Sequence, residues 1–151
     1  MKLNIMLIDD NKIDLFVCKK IIEKATFDSS VRTFERASVA INFLKVFEKK
    51  KEHQDTFIPD IILLDINMPE MSGFQFLEEF NKLENIRDKS IKIYMLSSST
   101  NIHDVIKVKS EKHCVGFISK PLTLQAFNQV LTDSKPYLTR YDYQSNDVNI
   151  Y

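Results

Sequence analysis

The sequence has little of several residue types on which particular functions depend. Its 151 residues include only two cysteines, Cys18 and Cys114, and these do not form a CxxC pair. A disulfide framework or a thiol redox site is therefore not indicated, and we expect two free, buried thiols in a reducing compartment. Lysine and arginine together number 21, as do aspartate and glutamate. The chain thus has no excess positive charge that would favour direct binding of nucleic acid.

Long apolar segments are also missing. No run approaches the roughly 18 apolar residues that a membrane-spanning helix requires. The apolar run at the N-terminus is interrupted by Asn4 and ends at Asp9 and Asp10, a pattern that does not fit a signal peptide. Apolar residues make up 44% of the chain and charged residues 28%, which is ordinary for a globular protein with one core. We therefore expect a cytoplasmic protein without a membrane segment.

Short apolar runs alternate with segments of helical periodicity along most of the chain. The runs predict strands at residues 3–8, 31–34, 60–65, 91–96 and 115–118. Five helices are predicted between and after them, with apolar stripes such as Ile13, Phe16, Val17 and Ile21 in the first and Ile102, Val105, Ile106 and Val108 or Lys109 in the fourth. The alternation predicts a doubly wound α/β fold, with right-handed connections, a five-stranded parallel sheet and helices on both faces. A polar, lysine-rich stretch at residues 48–56 is expected to be a surface loop, with a docking loop as the alternative.

Polar side chains that could bind a ligand or take part in a reaction follow four of the predicted strands. They are Asp9 and Asp10 after the first strand, Asp65 and Asn67 after the third, Ser97 after the fourth, and Lys120 after the fifth. In folds of this class, ligands bind at the carboxyl ends of the strands. We therefore expect three carboxylates, one hydroxyl and one ammonium group to converge at one edge of the sheet.

This set of groups suits the transfer of a phosphoryl group. Three neighbouring carboxylates need a counter-charge, and an all-oxygen cluster favours Mg²⁺, which keeps coordination positions for phosphate oxygens. Lys120 and Ser97 can each bind a further phosphate oxygen. Asp65 is then the carboxylate available as nucleophile, and it would form an aspartyl phosphate. Taken singly, each residue has an ordinary explanation, since an Asp pair before a helix is often an N-cap.

Four motifs carry a resemblance to a known family. LIDDN lies near the start of the chain, LLDINMPEMSGF lies in the middle, MLSSS follows, and FISKP lies near the end. Over about residues 3–133 the sequence resembles the receiver domains of two-component response regulators. The resemblance implies a flavodoxin-like fold with strand order 2-1-3-4-5, a receiver domain at residues 1–133 and a C-terminal tail at residues 134–151.

The resemblance also implies a role for each site residue. Asp65 would accept the phosphoryl group, and Mg²⁺ would be bound by Asp10, Asp65 and the backbone carbonyl of Asn67, with Asp9 acting directly or through water. Ser97 and Lys120 would bind the phosphoryl oxygens. Ser97 and Phe117 would form the conformational switch, although Phe117 stands where tyrosine is commoner. Asn67 and Ser99 would tune the lifetime of the phosphoryl group.

The short tail gives no room for an effector domain, so we expect a stand-alone receiver, monomeric or weakly dimeric, that is not an enzyme. Its partners would be a histidine kinase or phosphotransfer protein and a downstream protein target, which would meet the fourth helix, fifth strand and fifth helix. The tail contains Tyr137, Tyr141, Tyr143 and Tyr151. We expect it either to dock on the domain or on another chain, or to be a frayed terminus.

Three other kinds of site share the fold or part of the chemistry. A phosphohydrolase of the haloacid-dehalogenase type would need a second aspartate where this chain has Asn67. A Walker B segment is excluded because the chain has no GxxxxGK[ST] motif. A flavin-binding module would need a glycine-rich phosphate loop, but the only glycines are Gly73 and Gly116.

Overall fold

The computed structural model describes residues 2–49, 57–99 and 101–134. Within these ranges, five strands form one parallel sheet in the order β2-β1-β3-β4-β5. The strands are Leu3–Ile8 (β1), Ser29–Phe34 (β2), Ile61–Asp65 (β3), Lys92–Ser97 (β4) and Cys114–Ser119 (β5). The helices are Lys12–Lys24 (α1), Ala37–Glu48 (α2), Gly73–Asn81 (α3), Glu84–Arg87 (α4), Ile102–Ser110 (α5) and Leu124–Asp133 (α6). The predicted doubly wound sheet and its strand order are confirmed.

The core lies on both faces of the sheet because the central strands alternate their side chains between two helical layers. All five residues of β3 are buried. Ile62 and Leu64 join the cluster that contains residues of α2 and α3, whereas Ile61 and Leu63 join the cluster that contains residues of α1 and α6. A strand covered on both faces reads as a continuous apolar run, which is why the sequence indicates β3 so clearly.

The orientation of α1 differs from the prediction. The helix buries Leu15, Cys18 and Ile22, whereas Ile13 and Phe16 are 72% and 62% exposed. Of the predicted stripe, Ile21 packs against the core and Val17 is half-buried, so the prediction is wrong for Ile13 and Phe16. Apolar residues occur around most of this helix, so that spacing alone is compatible with two buried faces. The choice between them depends on packing against the sheet, which periodicity does not contain.

Further differences concern α5, α4 and Cys114. In α5 the predicted stripe is largely on the surface, since Ile102 and Ile106 are exposed and Val108 is the buried residue. The short α4 brings the number of helices in the described ranges to six rather than the predicted five, because a single helical turn has too few residues to show periodicity. Both cysteines are free, but Cys114 is half-buried rather than buried because β5 is an edge strand.

Two predicted segments fall largely or wholly outside the described ranges. The lysine-rich stretch is described as far as residue 49, with α2 continuing through Glu48. Of the predicted tail, only Ser134 is described. No helix in the described part of the chain is long and apolar enough to cross a membrane.

Candidate functional site

The predicted site residues lie together at the carboxyl edge of the sheet. Asp9 directly follows β1, Asp65 ends β3, Ser97 ends β4 and Lys120 directly follows β5. Because the four strands are parallel neighbours, their carboxyl ends meet at one edge. The side chains are nevertheless largely withdrawn from water, since Asp9, Asp65 and Ser97 are buried. The site is therefore a recessed group of polar side chains above an apolar core.

Three carboxylates form the acidic part of the site. Asp9, Asp10 and Asp65 each offer an oxygen atom within 4.8 Å of the other two. We call these three residues the acid group. Asp9 and Asp65 are buried and Asp10 is exposed, so the acid group opens to solvent on the side of Asp10. Like charges at this separation repel each other in a poorly solvated place, and the acid group needs positive charge to remain ionised.

Lys120 supplies part of that positive charge. Its Nζ lies 2.7 Å from Asp9 Oδ2, 3.0 Å from Asp14 Oδ2 and 3.3 Å from Asp65 Oδ1. The backbone N–H of Lys120 donates a hydrogen bond of 2.9 Å to the carbonyl of Ser97, which fixes the base of the side chain. An ammonium group has three N–H donors, and three carboxylates here surround one ammonium. Asp10, whose carboxylate lies near those of Asp9 and Asp65, adds a fourth negative charge to the site.

The pKa values of these groups reflect burial and the surplus of negative charge. Burial raises the pKa of Asp65 to about 6, and the charge of Asp9 acts in the same direction, while Lys120 and the N–H of Asn67 oppose it. Burial also raises the pKa of Asp9, against the hydrogen bonds from Lys120 and from the N–H of Asn11. Burial acts to lower the pKa of Lys120, but its carboxylate partners raise it overall, so the ammonium stays charged.

The acid group fits a hard divalent cation. Its three ligand atoms are all carboxylate oxygens, which Mg²⁺ prefers, and the exposed side chain of Asp10 gives the ion a route from solvent. Bound Mg²⁺ would offset the repulsion that raises the pKa of Asp65. Asn67 is exposed, and its N–H faces the carboxylate of Asp65. The predicted ligand role of its carbonyl stays a prediction.

The hydroxyl residues after β4 form a chain of hydrogen bonds. Ser97 Oγ accepts the N–H of Ser99 at 2.9 Å, and Ser99 Oγ accepts the N–H of Asn101 at 3.1 Å. Asn101 Oδ1 in turn accepts the N–H of His103 at 3.0 Å and caps α5. We call this chain the serine ladder. It connects the buried hydroxyl of Ser97 to the first turn of α5, and it gives Ser99 a structural contact that the sequence did not indicate.

Phe117 lies on β5 opposite Met95 of β4 and is half-buried. Its ring packs against the core cluster on the side of the sheet that contains Met95 and Val108 of α5. Phe117 is thus placed between the end of β4 and α5. Its predicted switching role stays a prediction.

Gly73 allows the loop after β3 to close tightly on the site. Its N–H donates to the carbonyl of Ile66 at 2.9 Å. A methyl group at this position would overlap the backbone carbonyl oxygen of Asp65 and would lie 2.9 Å from Met95 Cε. The next residues form α3, which Ser72 caps in a reciprocal pair with Gln75. The absence of a side chain at Gly73 therefore allows the start of α3 to lie directly against the backbone of Asp65.

Gly73→Ala is expected to lower the free energy of unfolding by about 1–3 kcal/mol, because backbone must move to admit the methyl group. The other glycine provides a matched control, since a methyl group at Gly116 would meet Tyr94 Cδ1 at 3.3 Å, a contact that a small shift relieves. Urea unfolding of the two variants measures the difference. Equal stability of Gly73→Ala and the wild type would contradict the tight closure.

One residue of the site was missed in the sequence analysis. Asp14 lies in the first turn of α1 and contacts Lys120, which is 106 residues further along the chain. An acidic residue in a first turn is ordinarily explained by the helix dipole, so its type and position gave no separate signal. Only the packing of α1 against the sheet brings it to the site.

Comparisons with known proteins agree with this geometry. The family model for the response regulator receiver domain matches residues 5–132. Response regulator Rcp1 from Synechocystis is 27% identical over 121 residues, which are 80% of this chain and 78% of Rcp1.

Two solved structures are similar throughout their length. A two-component response regulator from Cytophaga hutchinsonii has a TM-score of 0.78 and 28% identity, covering 90% of this chain and 99% of that one. A response regulator receiver protein from Dyadobacter fermentans has a TM-score of 0.71 and 31% identity, covering 87% of this chain and 96% of that one. The chain therefore belongs to the family of response regulator receiver domains.

Proposed function

We propose that this receiver domain accepts a phosphoryl group on Asp65, with Mg²⁺ at the acid group, and passes the signal to a protein partner. The observation that carries the proposal is the placement of one buried carboxylate within 3.3 Å of Lys120 and beside two further carboxylates. Incubation with acetyl phosphate and Mg²⁺ tests it. One phosphoryl group per chain is the expected gain, and an unchanged mass would contradict the proposal.

Asp65 is the best placed of the three carboxylates to act as nucleophile. Asp9 Oδ1 accepts the N–H of Asn11 at 2.9 Å, and Asp9 Oδ2 makes the shortest of the three contacts with the Lys120 ammonium, at 2.7 Å. Asp10 is exposed and lies on the side open to solvent. Asp65 has the longest contact with Lys120, which leaves its carboxylate the most available to form a bond.

The reaction joins an oxygen of Asp65 to phosphorus and breaks the bond between phosphorus and the donor. With acetyl phosphate, acetate leaves with the electron pair of that bond. Lys120 holds one phosphoryl oxygen, and the hydroxyl of Ser97 donates to another while still accepting the N–H of Ser99. Mg²⁺ bound to the acid group would neutralise charge that develops on the transferred phosphoryl group.

The physiological donor would be a histidine kinase or a phosphotransfer protein, from which the phosphoryl group leaves a histidine nitrogen. A phosphohydrolase that turns over its substrate is not favoured. Asn67 stands two residues after Asp65, where it offers an amide rather than a carboxylic acid that could protonate a leaving group. We therefore propose a signalling phosphoacceptor rather than a turnover enzyme.

The serine ladder offers a route from the phosphoryl group to the surface. A new hydrogen bond from Ser97 to a phosphoryl oxygen would move its hydroxyl toward Asp65. The N–H of Ser99 is bound to that hydroxyl, and Asn101 is bound to Ser99, so the start of α5 would move with it. Packed interiors switch between discrete arrangements, and Phe117 would refill the space by turning inward.

The surface that moves would be the output face, defined as α5, β5 and α6. It exposes large apolar side chains, among them Ile102, Ile106 and Val115. Apolar side chains on neighbouring elements are typical of a protein-binding surface. Binding of a protein partner at this face would explain why most of the apolar stripe of α5 lies outside the core.

Beryllofluoride, a mimic of the phosphoryl group, is expected to change hydrogen exchange mainly within residues 97–131. Ser97→Ala should reduce these changes, because it removes the hydroxyl that connects the phosphoryl site to the ladder. Ser98→Ala is the matched control, since Ser98 is exposed and adjacent. Changes confined to residues 11–48, or equal changes in Ser97→Ala and the wild type, would show that the output does not pass through the ladder.

A further inference from the structure

The contact between Asp14 and Lys120 is not explained by metal binding. Asp14 is absent from the group of carboxylates whose oxygens all lie within 4.8 Å of one another. Its carboxylate is one-third exposed, whereas the Lys120 side chain that it contacts is 12% exposed. It approaches Lys120 from the α1 side, and Asp65 lies at the end of β3. The ammonium is therefore held between two elements.

Both ends of this contact are fixed by the backbone. Asn11 caps α1 by accepting the N–H groups of Ile13 and Asp14, which holds the first turn in place. At the other end, the N–H of Lys120 is bound to the carbonyl of Ser97. The lysine stem between them is a flexible chain of four carbons, so the carboxylate contacts help to determine where its ammonium lies.

We propose that Asp14 is a positioning residue for Lys120, which it holds together with Asp9 so that the third N–H points at Asp65. The inference rests on the proposed function. The distances of 2.7 and 3.0 Å to Asp9 and Asp14 are shorter than the 3.3 Å to Asp65. When Asp65 carries a phosphoryl group, the two shorter contacts persist and a phosphoryl oxygen takes the third donor.

A purely electrostatic role for Asp14 predicts the opposite result. A negative charge near the site repels an anion and attracts a cation. Its removal would therefore strengthen the binding of beryllofluoride and weaken the binding of Mg²⁺. If Asp14 positions Lys120, its removal instead frees the ammonium to adopt other rotamers and weakens the binding of beryllofluoride. The two roles thus differ in the sign of the effect.

The test measures the affinity of beryllofluoride at saturating Mg²⁺ by ¹⁹F NMR, and that of Mg²⁺ by calorimetry. Asp14→Ala is expected to weaken beryllofluoride binding about tenfold, as is typical for residues coupled through direct contact. Mg²⁺ affinity should change by less than about threefold. Asp14→Asn should have an intermediate effect, because its amide oxygen still accepts from Lys120. Glu84→Ala, which removes an exposed acidic residue from the first turn of α4, is the control and should bind both ligands like the wild type.

The same substitution in a Lys120→Met background shows whether Asp14 acts through the lysine. There, Asp14→Ala should change the affinity for beryllofluoride by less than about twofold. Unchanged or tighter binding in the single variant, or a tenfold loss that persists without the lysine, would overturn the inference while leaving the proposed function intact. A wild-type protein that binds no beryllofluoride would overturn both.

Discussion

Asp65→Asn is expected to abolish phosphorylation by acetyl phosphate, whereas the wild type gains one phosphoryl group. The substitution preserves the shape of the side chain but replaces the carboxylate with an amide, which is not nucleophilic enough to attack phosphorus. Removing a buried negative charge from beside Asp9 also relieves repulsion, so the variant should fold at least as well. Intact-mass measurement after incubation with Mg²⁺ gives the result directly.

Asp60→Asn is the matched control for this experiment. Asp60 directly precedes β3, so the two aspartates lie at opposite ends of one strand. Its carboxylate accepts the N–H of Asn4 at 2.7 Å and is remote from Lys120 along the strand. The control should be phosphorylated like the wild type. Stoichiometric labelling of Asp65→Asn would mean that another residue accepts the phosphoryl group.

Asp10→Ala is expected to weaken Mg²⁺ binding and to slow phosphorylation by roughly 100-fold or more, since bound metal contributes several kcal/mol to charge stabilisation in such reactions. Asp10 is the exposed member of the acid group, so the truncation should not disturb the core. Calorimetric titration with Mg²⁺ and the rate of phosphorylation by acetyl phosphate are the two measurements. They should change together.

Asp88→Ala removes the same charge from an exposed aspartate that precedes β4, at the opposite edge of the sheet. It should leave both the Mg²⁺ affinity and the rate unchanged. If Asp10→Ala bound Mg²⁺ as tightly as the wild type does, the acid group would not be the metal site. If affinity fell and the rate did not, phosphorylation would not depend on the metal.

The sheet and the strand-end residues could be predicted because each depends on local sequence. β3 is buried on both faces, so its composition alone distinguishes it. Once the parallel order is known, the chain direction brings Asp9, Asp65, Ser97 and Lys120 to one edge without further information. The order and direction of the strands therefore explain how residues far apart in the sequence form one site.

The faces of α1 and α5 could not be predicted in the same way. Both helices have apolar residues on more than one side, and Ile13, Phe16, Ile102 and Ile106 are exposed. Periodicity identifies a helix from such residues but does not identify the buried face when two faces are apolar. For α5 the exposed face coincides with the proposed output face.

Contacts between individual side chains also could not be predicted from the sequence. Asp14 and Lys120 are far apart in the chain, and their contact results from the rotation of α1 on the sheet. The serine ladder depends on backbone N–H groups that turn toward particular hydroxyls, and the residue types after β4 permit many turns. Sequence patterns constrain elements, whereas such contacts depend on how those elements pack.

The measurement that tests the central claim most directly is the location of the phosphoryl group in the unaltered protein. Wild-type chain is treated with acetyl phosphate, with Mg²⁺ or with a chelator, and its peptides are analysed by mass spectrometry under conditions that preserve acyl phosphates. We expect one phosphoryl group, on the peptide that contains Asp65, and none when Mg²⁺ is removed. A phosphoryl group on another residue, or labelling that is equal without Mg²⁺, would contradict the account.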